Sequence, residues 1–198
     1  MYDDKLMKAE MGSIEYIRQS KFIYKASWSN ADVEHFVFFS KDSRGYFGGS
    51  FGLRNQFVEE FGINAITKYG HPNRQMMRQY RDPRTACSMS FEFGRIDKYT
   101  RTAWPRTRVQ DISGSELAVF VAAFVSRHIF PIVRRIEDLG GLLDFLLSDE
   151  EPTPWLVTGP AIRAAQVVVL AKQLGLERNQ IRRFLGHPSS ELPGILRR

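Results

Sequence analysis

The side chains in this chain that could bind a metal ion or transfer a proton are scattered, without the spacing that such chemistry needs. The histidines have no HxxxH, HxH or Cys–His neighbour of the kind that holds zinc; they are His35, His71, His128 and His187. His128 falls on an apolar helical stripe, where a histidine packed into the core or an interface is the simplest interpretation. We therefore expect no metal ion and no other cofactor.

Carboxylates and nucleophiles are no more informative. Nothing in the sequence brings two acids together as a general acid–base pair, and surface carboxylates are the simpler interpretation of Glu34, Glu59, Glu60, Asp82, Glu92 and Asp97. Ser50 stands in GGSFG, which has neither the GxSxG spacing of a nucleophile elbow nor the ending of a phosphate-binding loop. We assign no catalytic residue and interpret the chain as non-enzymatic, with an unrecognised hydrolase or nuclease as a third hypothesis.

The charge balance gives a second constraint. The chain has 28 Lys and Arg against 22 Asp and Glu, a net charge of +6. Such a surface favours an acidic partner, whether nucleic acid, protein or anionic membrane, but it equally serves solubility alone. One cysteine, Cys87, excludes an intramolecular disulfide. We expect a soluble cytoplasmic protein without a signal peptide or a membrane span, because Arg127 and His128 interrupt the most apolar window.

The element that must position these residues is the longest apolar run, Ser113–Leu147. Ser113 and Glu116 have the spacing of a capping box, and apolar residues then recur on a helical period. Pro131 predicts a kink or a restart near Phe130. The Gly140-Gly141 pair predicts a second break, which leaves Leu142–Leu147 as a short separate piece.

Shorter elements surround this helix. We predict a helix over Asp3–Gln19, a helix over Gln56–Tyr69 capped by Asn55, and a C-terminal helical pair over Pro160–Leu174 and Glu177–Leu185. The predicted strands are Phe22–Trp28, Val33–Ser40, Tyr46–Leu53 and Ala86–Ile96. Together they predict a single α+β domain over residues 1–198, sheet-rich over 1–111 and helical over 112–198. Its antiparallel sheet of four to six strands packs against the long central helix and the C-terminal pair.

Two basic stretches, His71–Arg84 and Asp97–Asp111, are the first candidate binding surface. Cations interleaved with aromatic residues hold a nucleic-acid backbone and stack on bases, although a solvated loop whose Trp tucks into the sheet has the same composition. We predict a partner-binding surface made of Arg78, Arg81, Arg101, Trp104, Arg106 and Arg108.

The second candidate, Leu170–Leu185 (LAKQLGLERNQIRRFL), resembles a helix-turn-helix. Ala171, Gly175 and Ile181 hold the spacing at which that motif needs a small residue, a turn glycine and a buried aliphatic residue. The resemblance implies that the second helix contacts phosphates and base edges, Arg with guanine and Asn or Gln with adenine. Its candidate residues are Arg178, Asn179, Gln180, Arg182 and Arg183. A helical hairpin with a glycine turn and no role in DNA binding satisfies the same three positions.

A broader resemblance covers most of the chain. The order of elements, with YFGGSFGLRN closing the aromatic strands and HIFPIV in the long helix, is similar to that of small uncharacterised bacterial domains, some encoded beside toxins as candidate immunity proteins. This resemblance implies a protein that binds and neutralises a cognate toxin. Recognition of another protein is therefore our first functional hypothesis, and DNA binding by a transcriptional regulator is the second. The adjacent gene would discriminate best between them.

Overall fold

A computed structural model describes residues 2–61, 89–93, 111–147 and 160–184. It confirms the predicted α+β fold, with an antiparallel sheet and several helices. The chain divides into two compact units that alternate along the sequence. The first comprises Met1–Asn30, Glu34–Leu53 and Ser90–Arg135, and the second comprises Ala31–Val33, Arg54–Met89 and Ile136–Arg198. The single domain predicted from the sequence stays a prediction.

The sheet has five strands in the order β1-β2-β3-β4-β5. They are β1 (Tyr16–Ser20), β2 (Ile23–Ala26), β3 (Glu34–Lys41), β4 (Phe47–Arg54) and β5 (Met89–Glu92). β2 pairs antiparallel with both β1 and β3. The turn between β3 and β4 closes on Asp42, whose Oδ1 accepts hydrogen bonds from the backbone N–H groups of Arg44 and Tyr46. Gly45 adopts φ +88° there, a left-handed conformation that favours glycine in a tight turn.

The predicted helix over Asp3–Gln19 is wrong beyond Ser13. Helix α1 spans Asp4–Ser13 and is capped by Asp3, whose carboxylate accepts from the backbone N–H groups of Lys5 and Leu6. The chain then reverses through Glu15, at φ 63°, and enters β1. The helical spacing of Ile14 and Ile17 was misleading, because β1 pairs with β2 in a hairpin, and this pairing overrides the helical periodicity.

The long apolar run forms α3 (Gly114–Phe124), a π-helical turn (Val125–Ile129) and α4 (Phe130–Val133). The predicted capping box is present, since Ser113 and Glu116 each donate a backbone N–H to the other's side chain, both at 3.1 Å. The predicted restart at Phe130 is also confirmed. Pro131 lacks an N–H and crowds the carbonyl of Arg127, so a wider turn fits where an α-turn would clash.

The predicted break at Gly140-Gly141 is wrong. Helix α5 spans Leu139–Leu147 and contains both glycines in its first turn. Asp138 caps it, since its Oδ1 accepts the Gly141 N–H at 2.7 Å and its carbonyl accepts the Leu142 N–H at 2.9 Å. The preceding helix ends at Val133, and residues 134–138 separate the two. A carboxylate cap thus offsets the low helix propensity of the glycines.

Gly114–Val133 is the one stretch in the described part of the chain that is long and apolar enough to cross a membrane, with a mean hydropathy of 1.7 over its best window. Half of that window is buried within the protein. Helix α1 packs against α3, which covers part of this apolar surface. The core helix of a soluble protein has these properties.

Glycine in β4 allows close packing in the core of the first unit. A Cβ atom added at Gly49 would lie 2.3 Å from Cδ2 of Phe93. The Phe93 ring is fully buried and lies 5.3 Å from the ring of Phe124 on α3. The missing side chain at Gly49 thus makes room for the Phe93 ring, and Gly49 lies inside a strand rather than at the start of a helix.

The second unit contains four described helices. Helix α2 is described over residues 56–61 and begins at its predicted cap, since Asn55 Oδ1 accepts the Val58 N–H at 3.0 Å. The Asn55 amide also donates to the Asp32 carbonyl at 2.6 Å. Helices α6 (Pro160–Gln173) and α7 (Arg178–Phe184) confirm the predicted C-terminal pair, and α5 and α7 both pack against α6.

Candidate nucleic-acid interface

The structure describes only one of the two predicted binding surfaces. The first, made of Arg78, Arg81, Arg101, Trp104, Arg106 and Arg108, lies wholly outside the described residues. The helix-turn-helix-like stretch lies in α6, α7 and the turn between them, and its backbone is described through Phe184. This hairpin is therefore the candidate site.

The turn of the hairpin ends α6 in a Schellman motif. The Leu176 N–H donates to the Ala171 carbonyl at 2.9 Å, and the Gly175 N–H donates to the Lys172 carbonyl at 3.1 Å. Gly175 adopts φ +71°, a left-handed conformation that favours glycine. The glycine predicted from the motif spacing is thus required by the backbone.

The start of α7 is fixed by its own first turn. The Glu177 N–H donates to Gln180 Oε1 at 2.9 Å, and the Glu177 carbonyl accepts the Ile181 N–H at 3.0 Å. The hydrogen bond to Gln180 is one of the two that make up a capping box, and in it the Gln180 amide oxygen accepts from the backbone of the same hairpin. One acceptor position of the Gln180 amide oxygen is therefore used within the hairpin, and its second acceptor position and both amide N–H groups are left for other contacts.

Packing at the other two motif positions also agrees with a helix-turn-helix. Ala171 is fully buried where α7 approaches α6, and its single methyl group allows that approach. Ile181 is 8% exposed and fixes the inner face of α7. The sequence reasoning therefore placed the small residue, the turn glycine and the buried aliphatic residue correctly.

Helix α7 contains the candidate contact residues. Arg178, Asn179 and Gln180 are all exposed at its N-terminal end. Arg182 and Arg183 belong to the same helix, four residues beyond Arg178 and Asn179 in the sequence. A short helix with cations and an amide on one side can follow a phosphate backbone and reach base edges.

A groove beside the hairpin was not predicted from the sequence. It lies between α2 and α6 in the second unit and has a volume of about 250 Å³. Its floor is apolar and its rim is polar; the lining residues are Phe57, Phe61, Val168, Val169, Glu60, Lys172 and Gln173. The four-residue spacing of Phe57 and Phe61 indicated an apolar helix face, but nothing local indicated that α6 would leave this face partly open.

The described histidines and acids form no cluster with the makeup of a metal site. Among the described residues, no three His, Cys, Asp or Glu side chains converge as metal ligands. His35 is buried, and its ring lies 6.0 Å from that of Trp28. His128 lies in the π-helical turn against Phe124, and partial burial together with the nearby Arg127 charge lowers its pKa.

Comparison with known proteins adds no constraint on function. The chain matches no protein-family model, no curated protein and no solved structure. The resemblance to candidate immunity proteins therefore stays a prediction. What the protein does must be argued from the geometry of its described parts.

Proposed function

We propose that this protein binds duplex DNA through the α6–α7 hairpin. One observation carries the proposal: a Schellman turn at Gly175 holds α7 against α6 through Ala171 and Ile181, and this leaves Arg178 and Asn179 exposed on the outer face. In a helix-turn-helix, that face of the second helix enters the major groove. The net charge of +6 favours approach to a polyanion.

The residues have distinct roles in this proposal. Arg178 has the geometry to donate two hydrogen bonds to guanine, and Asn179 can pair with adenine through both amide atoms. Arg182 and Arg183 supply phosphate contacts that set the register of the helix on the duplex. Gln180 stabilises the start of α7 and takes a smaller part in base recognition, because the hydrogen bond from the Glu177 N–H holds its amide oxygen at the first turn of the helix.

Selection of a preferred duplex from a random DNA library, followed by fluorescence anisotropy, tests the proposal. We expect Arg178→Ala to weaken binding to the selected duplex by about 1–3 kcal/mol, or roughly 5- to 150-fold. Joint replacement of Arg182 and Arg183 by Ala should weaken binding to all duplexes and reduce the salt dependence. Arg44→Ala is the matched control, since Arg44 is an exposed arginine on the β3–β4 turn.

Two outcomes would contradict DNA binding. The first is that no duplex is enriched over the starting library at low salt. The second is that Arg44→Ala and Arg178→Ala weaken binding equally, which would reduce the effect to net charge.

The second candidate function is recognition of another protein, such as a toxin encoded by a neighbouring gene that this cytoplasmic protein would neutralise. The open groove between α2 and α6 favours it, because apolar surface framed by polar groups is typical of protein-binding sites. An immunity protein should co-purify with the neighbouring gene product and show no salt-dependent affinity for duplex DNA.

A further inference from the structure

We infer that Glu177 is a specificity-determining residue of the α6–α7 hairpin and that its carboxylate accepts a hydrogen bond from the N4 amino group of a cytosine. The inference rests on the proposed binding of duplex DNA. It goes further by naming one base pair of the binding site, a C·G pair beside the guanine that Arg178 contacts. Three properties of Glu177 support it: a fixed backbone, an exposed side chain and a negative charge.

The backbone of Glu177 is held on both sides in the first turn of α7. Its N–H donates to Gln180 Oε1 at 2.9 Å, and its carbonyl accepts the Ile181 N–H at 3.0 Å. Ile181 is buried, so this turn is anchored in the second unit. A side chain that starts from a fixed backbone can select one base, because little conformational freedom is lost when it binds.

The carboxylate of Glu177 is not used within the described part of the chain. It is exposed, and no described Lys or Arg forms an ion pair with it. Other helices here begin at a shorter side chain whose oxygen accepts a backbone N–H, as Asp3, Asn55 and Asp138 do. Glutamate is not among the residues favoured for that role. Its carboxylate is therefore available to a ligand.

The charge of Glu177 decides which base it matches. DNA is a polyanion, so its phosphates repel a carboxylate that has no donor to pair with. In the major groove, guanine and thymine present only hydrogen-bond acceptors, and adenine presents an acceptor beside its amino group. Cytosine presents its N4 amino donor with no acceptor on the same edge, so it is the base that best pairs with a carboxylate.

The order of the residues places this cytosine. Glu177 directly precedes Arg178. Consecutive Cα atoms lie about 3.8 Å apart, close to the rise of about 3.4 Å between successive base pairs. We therefore expect the C·G pair next to the base pair that Arg178 contacts.

Selection from a random duplex library, followed by fluorescence anisotropy, tests this role. We expect the wild-type site to contain a C·G pair beside its guanine, and replacement of that pair by T·A should weaken binding roughly 5- to 150-fold. Glu177→Ala should remove the preference, whereas Glu177→Gln should favour A·T instead, because glutamine pairs with adenine. Asp144→Asn is the matched control, since Asp144 is exposed on α5 and the substitution removes the same charge. It should keep the preference for C·G.

Three results would overturn the inference. They are a wild-type site without cytosine beside its guanine, the same preference for C·G after Glu177→Gln, and loss of the preference after Asp144→Asn as well. If Glu177→Gln lowers the unfolding temperature but keeps the preference, the carboxylate serves only the positive end of the helix dipole.

Failure of DNA binding is a separate result. In that case no duplex is enriched with the wild type, and the inference falls together with the proposed function. Enrichment of duplexes that share a guanine but no neighbouring C·G pair would leave DNA binding supported and refute only the role of Glu177.

Discussion

Replacing Gly49 by Ala tests whether the close approach between β4 and the Phe93 ring limits the core of the first unit. The added Cβ would lie 2.3 Å from Cδ2 and 2.6 Å from Cε2 of Phe93. Non-bonded carbon atoms prefer separations of about 3.5–4.0 Å. The ring must therefore retreat by about 1 Å or more, and it is fully buried in a core where side chains are densely packed.

The magnitude follows from two opposing effects. Overpacking a core by one methyl group costs about 1–3 kcal/mol. Removing a glycine from a strand returns about 0.5–1 kcal/mol of backbone entropy. Taking the middle of each range, we expect Gly49→Ala to lower the free energy of unfolding by about 1 kcal/mol, with limits of about 0 and 2.5 kcal/mol. Urea denaturation followed by circular dichroism measures this change as a shift of the midpoint.

A neighbouring glycine provides the control. A Cβ at Gly48 would meet only the exposed Ser40 hydroxyl, at 3.1 Å, so Gly48→Ala should change stability by less than about 0.5 kcal/mol. Combining Gly49→Ala with Phe93→Leu should relieve the clash, so the double variant is more stable than the sum of the single changes predicts. Additive effects, or equal losses at both glycines, would refute the assignment of Gly49 to this contact.

Three further predictions concern backbone conformation and pH. Gly12→Ala should stabilise the protein by about 0.5–1 kcal/mol, because the added methyl group on α1 meets no atom within 4 Å. Gly175→Ala should destabilise it by about 1 kcal/mol, because Gly175 has φ +71°. Thermal unfolding measures both changes, and changes of the same sign would contradict both explanations. Glu15 has φ 63° and forms an exposed ion pair with Arg134 at 2.8 Å. Both Glu15→Gly and Glu15→Ala lose this ion pair, but only glycine relieves the backbone strain. In urea denaturation, the Glu15→Gly variant should therefore be about 1 kcal/mol more stable than the Glu15→Ala variant. The pKa of His128 is lowered in the folded state, so the stability that depends on neutral His128 is complete above the unfolded pKa of about 6.5 and is lost as pH falls through that value towards the lower folded pKa. His128→Gln should therefore flatten the dependence of the unfolding midpoint on pH between about 7.5 and 5. An unchanged slope would exclude this histidine as the source of the pH dependence.

Local chemistry in the sequence determined several features of this protein by itself. The capping box of Ser113 and Glu116, the helix start at Asn55 and the glycine turn at Gly175 follow from groups within a few residues of one another. Pro131 likewise predicted the irregular turn before Phe130, because a missing N–H is a property of the residue and not of its surroundings. The helix-turn-helix spacing was readable for the same reason.

Tertiary structure decided the rest. Tyr16–Ser20 became a strand because β2 pairs with it across the sheet, although its own spacing predicted a helix. Gly140 and Gly141 remained helical because α5 buries Leu142, Leu143 and Leu146 and packs against α6. The groove exists because α6 covers only part of the apolar face of α2, and the capping role of Gln180 depends on how the turn orients it. Periodicity reports which side of an element is apolar, but only long-range packing determines which neighbour covers that side and how much of it stays open.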